Sequence, residues 1–444
     1  MTEPRDMTLY EAGQQMRQGK LTAEALLESC IARIEQRESQ VHAWTNLYVD
    51  EALRSAREMD KDAAAGKWRG ILHGIPAGIK DIIHVKGMIT TAGTEAYEAH
   101  SAEADAHSVA GMCQAGAIML GKTVSTSFAY RDARETRNPW NTAHTPGGSS
   151  SGSGAAVGDH MCLAALGTQT GGSTLRPGAF NGIVGFKPSF GEIPTGGVLE
   201  LSWHMDHVGV LARDVDDARL IWRAARNDGS ADGADGGLPP LVEARTPARV
   251  GRLRGYFETK CTPEVWRHLE AMLQLLADNG VSIVECEMPA SYEGIYDSWQ
   301  HILAAESALN HLERYPARKE LYPHHFNAMM EEGFSQSTLV YLQALRHRNQ
   351  LKEDLAGLLS RVDAIMLPTA PTPPPDPSTT GDASFLSPWT MTGYPAISVP
   401  SGLSGGGLPL GMQLVTGMGR DEELLRMGKY CQNLFGFDAF PGKS

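Results

Sequence analysis

The stretch GGSSSGSGAAVGDHMCLAALGTQTGGSTLRPGAFNGIVGFKPSF, residues 147–190, decides how the chain is read. Two Gly-Ser clusters flank an apolar, helix-like segment, and the short apolar run NGIVGFKPS follows. Glycine around a serine opens backbone conformations closed to other residues and lets a substrate approach the main chain. Thr170-Gly171-Gly172-Ser173 therefore reads as a nucleophile inside a turn of free N–H groups, the makings of an oxyanion hole. A serine nucleophile needs a base. No GxSxG elbow occurs, and no histidine is evidently placed for a Ser-His-Asp triad. The other base is a lysine kept neutral by burial. Lys80 is the candidate: it sits in GIPAGIKDII, residues 74–83, among apolar neighbours that would place it inside. A buried lysine is rare without a reason.

On both sides of this stretch, short apolar runs alternate with Gly-rich turns, as in GILHGIPAGIKDII and AGAIMLGKT. Short buried strands among helices predict an α/β sheet covered on both faces. Upstream, apolar residues at 25, 26, 30, 31 and 34 form a helical stripe, and 49–65 continue as an Ala-rich charged helix. Downstream, 249–257 reads as a strand, and 263–279, 293–314 and 337–360 read as helices. Residues 364–371 read as a strand entering a Pro-rich turn at 371–377. YPAISVPSG and LPLGMQLVTG read as two adjacent strands before a helix from Asp421. GSADGADGGLP, residues 229–239, is a flexible loop by composition; it is either a domain boundary or a link between strands of one sheet.

Composition excludes several classes. Lys plus Arg is 39 and Asp plus Glu is 52, a net charge of −13. That balance argues against autonomous nucleic-acid binding, which needs a basic face. No apolar run reaches the roughly 20 residues that span a bilayer, and the opening MTEPRDMTLYEAGQQ has no apolar signal segment. A cytoplasmic location is expected, with no membrane partner. The six cysteines are widely spaced, without a CxxC pair, and read as buried free thiols. Residues 116–123, GAIMLGKT, match the phosphate-loop pattern, but Ala, Ile, Met and Leu in the middle want to be a buried strand, not a cradle of free amides. Among fifteen histidines there is no HExxH. The run His204-Met-Asp206-His207 is read as structurally satisfied, so no metal is expected.

The chain resembles the amidase signature family. GGSSSGSGAAV, GTQTGGSTLRP and GFKPS match the family's serine-rich signature, and GIPAGIKD looks like its lysine motif. GKTVSTSFAY, RNPWN, MTGYPAISVPSG and GLPLGMQLV fit as well, so the likeness covers roughly residues 5–435. It implies one large α/β domain over 1–444, with a central mixed sheet covered by helices on both faces. Its N-terminal helices would span about 8–66, the signature core about 70–228 and a C-terminal part about 249–435. The family's Ser–cis-Ser–Lys triad falls on Ser173, Ser149 and Lys80, with the two serines 24 residues apart as in the family and a cis peptide before Ser149. The implied oxyanion donors are the amides of Thr170, Gly171, Gly172 and Ser173. Ser150, Ser151 and Ser153 are expected to shape the turn and cap the helix.

The chain departs from the commonest pattern at Gln169, where many members have Asp, at Asp159-His160, where small apolar residues are usual, and at Arg176, three residues beyond the nucleophile. Such an arginine resembles that of members whose substrate carries a carboxylate; the structural reading is an ion pair near a helix start. The resemblance is to a malonamidase-like or urethanase-like branch. Gln169, Arg176, Phe128 and Tyr130 are the candidate substrate contacts, with helices from 290–345 expected to wall the pocket. The implied function is hydrolysis of linear carboxylic amides through an acyl-enzyme on Ser173, without metal or organic cofactor. Carbamate or ester cleavage by the same triad, the amidase-like component of an amidotransferase working in a complex, and a non-catalytic scaffold are the alternatives. The partner would be a small-molecule amide, ester or carbamate, and a homodimer is the assembly considered.

Overall fold

The computed structural model describes residues 3–229 and 237–442, so the centre of the 229–239 loop lies outside the described residues. Thirteen strands are described: β1 (Trp44–Leu47), β2 (Pro76–Lys80), β3 (Ile89–Thr90), β4 (His100–Ser101), β5 (Ile118–Thr123), β6 (Ala164–Gln169), β7 (Val184–Lys187), β8 (His207–Ala212), β9 (Arg249–Leu253), β10 (Ser282–Cys286), β11 (Ala364–Pro368), β12 (Ala396–Leu403) and β13 (Pro409–Val415). Eleven form one mixed sheet in the order β1-β5-β2-β6-β8-β7-β12-β13-β11-β9-β10, while β3 and β4 pair separately. Strands from both sides of the 229–239 loop share that sheet, so the loop joins parts of one α/β domain.

The interior strands are buried at every position: β2, β6, β8 and β13 show no alternation of exposed residues. Such continuous burial requires cover on both faces. Neighbouring residues of β12 point to opposite faces, and each meets a different helix. Ile397 touches Gly428 of the helix Asp421–Phe435, while Ser398 lies by Gly411, which abuts Ala179 of the helix Leu175–Phe180.

Several elements differ from their sequence reading for identifiable reasons. The apolar segment between the two Gly-Ser clusters is half helix, Ser151–Gly158, and half strand, β6; a short buried apolar run does not tell helix from strand by periodicity. The strand read at 249–257 ends at Leu253, and Gly255 (φ 68°) leads into the short helix Tyr256–Lys260. Residues 116–123 hold β5, as the apolar reading required. Asp159, at the end of the helix Ser151–Gly158, is ion-paired to Arg33 (2.6 Å) and Arg37 (2.9 Å), and His160 bonds Asp6 at 2.7 Å. These ion pairs explain the polar residues where the family is usually apolar.

β2 and β6 run parallel and adjacent, with Ala77 beside Ala164 and Ile79 beside Leu166. Their C-terminal ends therefore emerge on the same edge, carrying Lys80 and the turn after Gln169 to one place. The helix Ser151–Gly158 packs on β6, β2 and β5 beneath that edge. It fits because of Gly152: a Cβ there would lie 2.1 Å from the Ala43 carbonyl oxygen and 2.3 Å from the Val124 amide. Gly152→Ala should thus destabilise the protein by about 1–3 kcal/mol through overpacking. Gly357, in the helix Thr338–Leu359 with open space around it, should gain up to about 1 kcal/mol as alanine. Chemical denaturation of the two variants measures the contrast.

Candidate active site

Lys80 ends β2 with no exposed surface. Its Nζ donates to Ser149 Oγ at 2.6 Å and to Thr168 Oγ1 at 2.6 Å. Burial pushes its pKa well below the ordinary lysine range, with Asp206 pulling the other way. Two further lysines are buried among the described residues, Lys122 and Lys187. Lys122 faces Asp81 at 3.4 Å and donates to Thr90 Oγ1; burial brings it down to about 8 against that attraction. Lys187 donates to the carbonyls of Tyr394 (2.6 Å) and Pro188 (3.2 Å), and burial lowers it to about 7. Burial alone therefore does not single out Lys80. Its two hydroxyl partners do.

Ser149 is held by its own backbone. The Gly148–Ser149 peptide is cis, and the Ser149 carbonyl accepts from Thr126 N at 3.1 Å. The next residue stitches the two Gly-Ser clusters together. Ser150 N donates to the Ser173 carbonyl at 3.3 Å, and Thr168 N donates to Ser150 Oγ at 3.2 Å. Ser151 Oγ donates to Gly147 O, and Ser153 Oγ donates to Leu166 O. These hydroxyls bind the helix to neighbouring turns and strands; no side chain caps its N-terminus, contrary to the capping expected for them.

The turn Thr170–Ser173 faces a cavity of about 940 Å³. Its carbonyls are engaged: Thr170 O accepts from Trp299 Nε1 (3.0 Å), Gly171 O from Thr390 Oγ1 (2.7 Å) and Gly172 O from Arg176 N (3.1 Å). Among the described residues, the amides of Gly171, Gly172 and Ser173 donate to no protein acceptor. With the carbonyls tied back, those donors are available to an anion in the cavity, the requirement of an oxyanion site. Glycine is needed at 172, where a Cβ would lie 2.5 Å from Leu386.

The expected substrate contacts separate. Tyr130 lines the cavity with Arg131, Tyr296 and Trp299, and the Arg131 guanidinium lies over the rings of Tyr130 (5.3 Å) and Trp299 (5.7 Å). Helices within 290–345 wall it as expected, through Tyr296, Trp299 and Gln300. Phe128 does not line it; it stacks on Tyr322 at 5.2 Å and packs against His311 and Phe326. Gln169 is turned into the protein. Its Oε1 accepts from Thr174 N and Leu175 N, and its Nε2 donates to Thr390 Oγ1. Arg176 borders the cavity, but its Nη1 donates to Gly381 O (2.8 Å) and its Nη2 to Gly148 O (2.6 Å) and Thr380 Oγ1 (3.2 Å). Backbone carbonyls and a hydroxyl thus take the place of both the substrate carboxylate and the ion pair considered for it. Burial lowers it to about 10, so it stays a cation at neutral pH.

Three contributors escaped the sequence reading. Thr168 needed the β2–β6 neighbourhood to be seen beside Lys80, and Trp299 is 129 residues from its partner Thr170. Asp206, read only within a possible metal run, accepts from Thr170 Oγ1 at 2.5 Å. The rest of that run is engaged structurally: His204 Nδ1 pairs with Glu306, and His207 Nδ1 bonds Met205 O. No group of three metal-ligating side chains occurs among the described residues.

Comparison with known proteins matches residues 25–425 to the family profile described as Amidase. The amidase-like component (GatA) of the glutamyl-tRNA(Gln) amidotransferase from Desulfatibacillum aliphaticivorans is 30% identical, over 97% of this chain and 98% of its own. A crystal structure described as an amidase superposes with a TM-score of 0.88 at 30% identity, covering 96% of this chain and 99% of the other. Native peptide amidase from Stenotrophomonas maltophilia superposes with a TM-score of 0.82 at 25% identity, covering 98% of each chain. No helix among the described residues is long and apolar enough to cross a membrane.

Arg176→Ala tests the placement of the guanidinium. The carbonyls of Gly148 and Gly381 lose their donor, at about 1–3 kcal/mol for each buried group left unsatisfied. Denaturation should register that loss, and turnover should fall by the same factor on acidic and neutral amides. A rise in KM confined to acidic amides would return Arg176 to substrate binding.

Proposed function

This chain belongs to the amidase family, and from that premise we propose that it hydrolyses small carboxylic amides through an acyl-enzyme on Ser173. The observation that carries the reading is Lys80: a buried amine, disfavoured as a cation, 2.6 Å from the Ser149 hydroxyl, beside a turn with unfilled amides. A neutral amine offers two N–H groups and a lone pair. Thr168 takes one N–H, and the lone pair accepts the Ser149 proton as Ser149 accepts that of Ser173. Ser173 Oγ then bonds to the substrate carbonyl carbon, whose oxygen becomes anionic against the amides of Gly171, Gly172 and Ser173. Collapse breaks the C–N bond, and the leaving amine takes the proton back from the Lys80 ammonium through Ser149. Water attacks the acyl-enzyme by the same relay, releasing a carboxylic acid and restoring Ser173.

Carbamates and esters present the same carbonyl to the same nucleophile, so they belong in the substrate screen. A second reading, one component of an amidotransferase that supplies ammonia within a complex, is supported by the likeness to the glutamyl-tRNA(Gln) amidotransferase component. The two readings part in a simple assay. A stand-alone hydrolase turns over short amides as the purified single chain. An amidotransferase component needs its complex and releases ammonia from an amide donor for transfer.

Ser173→Ala should remove turnover by several orders of magnitude while the fold persists, because covalent catalysis ends and one small side chain replaces another. Near wild-type rates would exclude Ser173 as the nucleophile. In the wild type, activity should rise with pH as Lys80 loses its proton and then level off. Because burial lowers the Lys80 pKa, the plateau should begin below the pH at which an ordinary lysine titrates, about 10.4. Lys80→Arg should be as inactive as Lys80→Ala, since a guanidinium stays protonated across that range. An active Lys80→Arg enzyme would rule out the relay.

A further inference from the structure

Asp206 is a buried carboxylate that the proposed relay does not use. It sits just before β8 and receives three hydrogen bonds: Thr170 Oγ1 at 2.5 Å, Leu201 N at 2.7 Å and Ser202 N at 3.0 Å. The first comes from the opening residue of the oxyanion turn. The other two come from a loop that Glu306 anchors through Ser202 Oγ at 2.5 Å. Between this carboxylate and the lysine lies a small cavity of about 10 Å³, bordered by Thr168, Thr170, Asp206 and His207 among others. That is room for one water. Thr168 is the hydroxyl bound to Lys80 Nζ, so the cavity adjoins both the lysine's partner and the carboxylate. His207, also buried, has an Nε2 without a protein partner. A space of one water's size, lined by a hydroxyl, a carboxylate and an unpartnered imidazole nitrogen, suits a bridging water that needs two to four polar partners.

Resting on the lysine relay proposed above, we propose that Asp206 is a positioning residue that sets the pH at which Lys80 becomes a base, acting across Thr168 and this cavity, while its bond to Thr170 holds the oxyanion turn. An anionic carboxylate stabilises the Lys80 ammonium and raises the pH at which the amine is freed. The charged groups around the pair are few. Asp206 is the charge that acts on Lys80. Asp206 itself is raised to about 6 by burial, against its three hydrogen bonds, with Glu200 adding a push in the same direction as burial. His207, between Asp206 and the sheet, is held neutral by burial, with Lys187 and Arg348 acting in the same direction. Above about pH 6 the Asp206 charge is therefore present and opposes the loss of the Lys80 proton. The site is thereby kept from having so weak a base that it cannot take the serine proton, since a general base works best with a pKa near the operating pH.

The test uses the intact chain and a fluorophosphonate probe that labels an activated serine, so no substrate need be known. The second-order labelling rate of Ser173 is followed against pH in the wild type, Lys80→Ala and Asp206→Asn. Asp206→Asn keeps acceptors for Thr170, Leu201 and Ser202 but removes the charge. Its rising limb should move to lower pH by about one unit, the low end of what a neighbouring opposite charge produces. A residue that only braces the turn would slow labelling without moving the limb. An Asp206→Asn limb at the wild-type pH therefore overturns the proposal. Asp206→Ser, which leaves room for water in place of the carboxylate, makes the same comparison should the asparagine variant not fold. If the limb survives Lys80→Ala, the relay itself falls and takes this inference with it, a result distinct from an unmoved limb in Asp206→Asn alone.

Discussion

The site depends on a primary amine kept out of water and away from an ion pair. Lys80 has no exposed surface, and hydroxyls, not a carboxylate, stand at hydrogen-bond distance from its nitrogen. Desolvation penalises the cation, and hydroxyl dipoles compensate less than a paired carboxylate would. Lys122, one strand away, shows the difference: it faces Asp81 across 3.4 Å and shares the loop around Thr90 and Thr91 with it. Both lysines are buried in the same sheet. The one given a counter-ion supports structure, and the one given Ser149 is placed to exchange a proton.

Holding Ser149, Thr168 and Ser173 around that amine takes most of the hydrogen bonding between the two Gly-Ser clusters. Ser150 is joined to Thr168 and Ser173, Arg176 holds the Gly148 carbonyl, and Gln169 binds the first amides of the helix that follows the nucleophile. The glycines make this closeness possible. A Cβ at Gly167 would lie 2.6 Å from Ser150 Oγ, and one at Gly148 would lie 2.6 Å from Thr380. The carbonyls of the oxyanion turn are drawn back by Trp299, Thr390 and Arg176, which leaves its amides turned to use. Arg131, Tyr130 and Trp299 then give the cavity above the turn a cationic and aromatic wall.

Residues 147–190, taken with the lysine motif at 74–83, are enough to reach the α/β class, one mixed sheet and the three residues proposed as the relay. Those inferences rest on local facts: glycine's backbone freedom, the apolar runs of buried strands, and a lysine among isoleucines. Tyr130 and the helices of 290–345 are also legible as pocket walls. Sequence reading stops short where one residue type serves two ends. Arg176 looks like a carboxylate binder until Gly148 O and Gly381 O stand at its nitrogens, and Phe128 looks like a pocket wall until Tyr322 and Phe326 surround it.

The chain alone therefore determined which chemistry is available: a small nucleophile in a flexible turn, a second serine and a lysine in an apolar strand. Only the tertiary structure decided which of three buried lysines meets a serine, which hydroxyl shares its proton, and which carboxylate stands behind them. The physical reason is distance along the chain. Thr168 is 88 residues from Lys80, and Trp299 is 129 from Thr170. Such pairs follow from strand order and helix packing, which local propensity does not encode; Asp206, 36 residues from Thr170, reaches it through the antiparallel pairing of β6 with β8 that sets Gln169 beside His207.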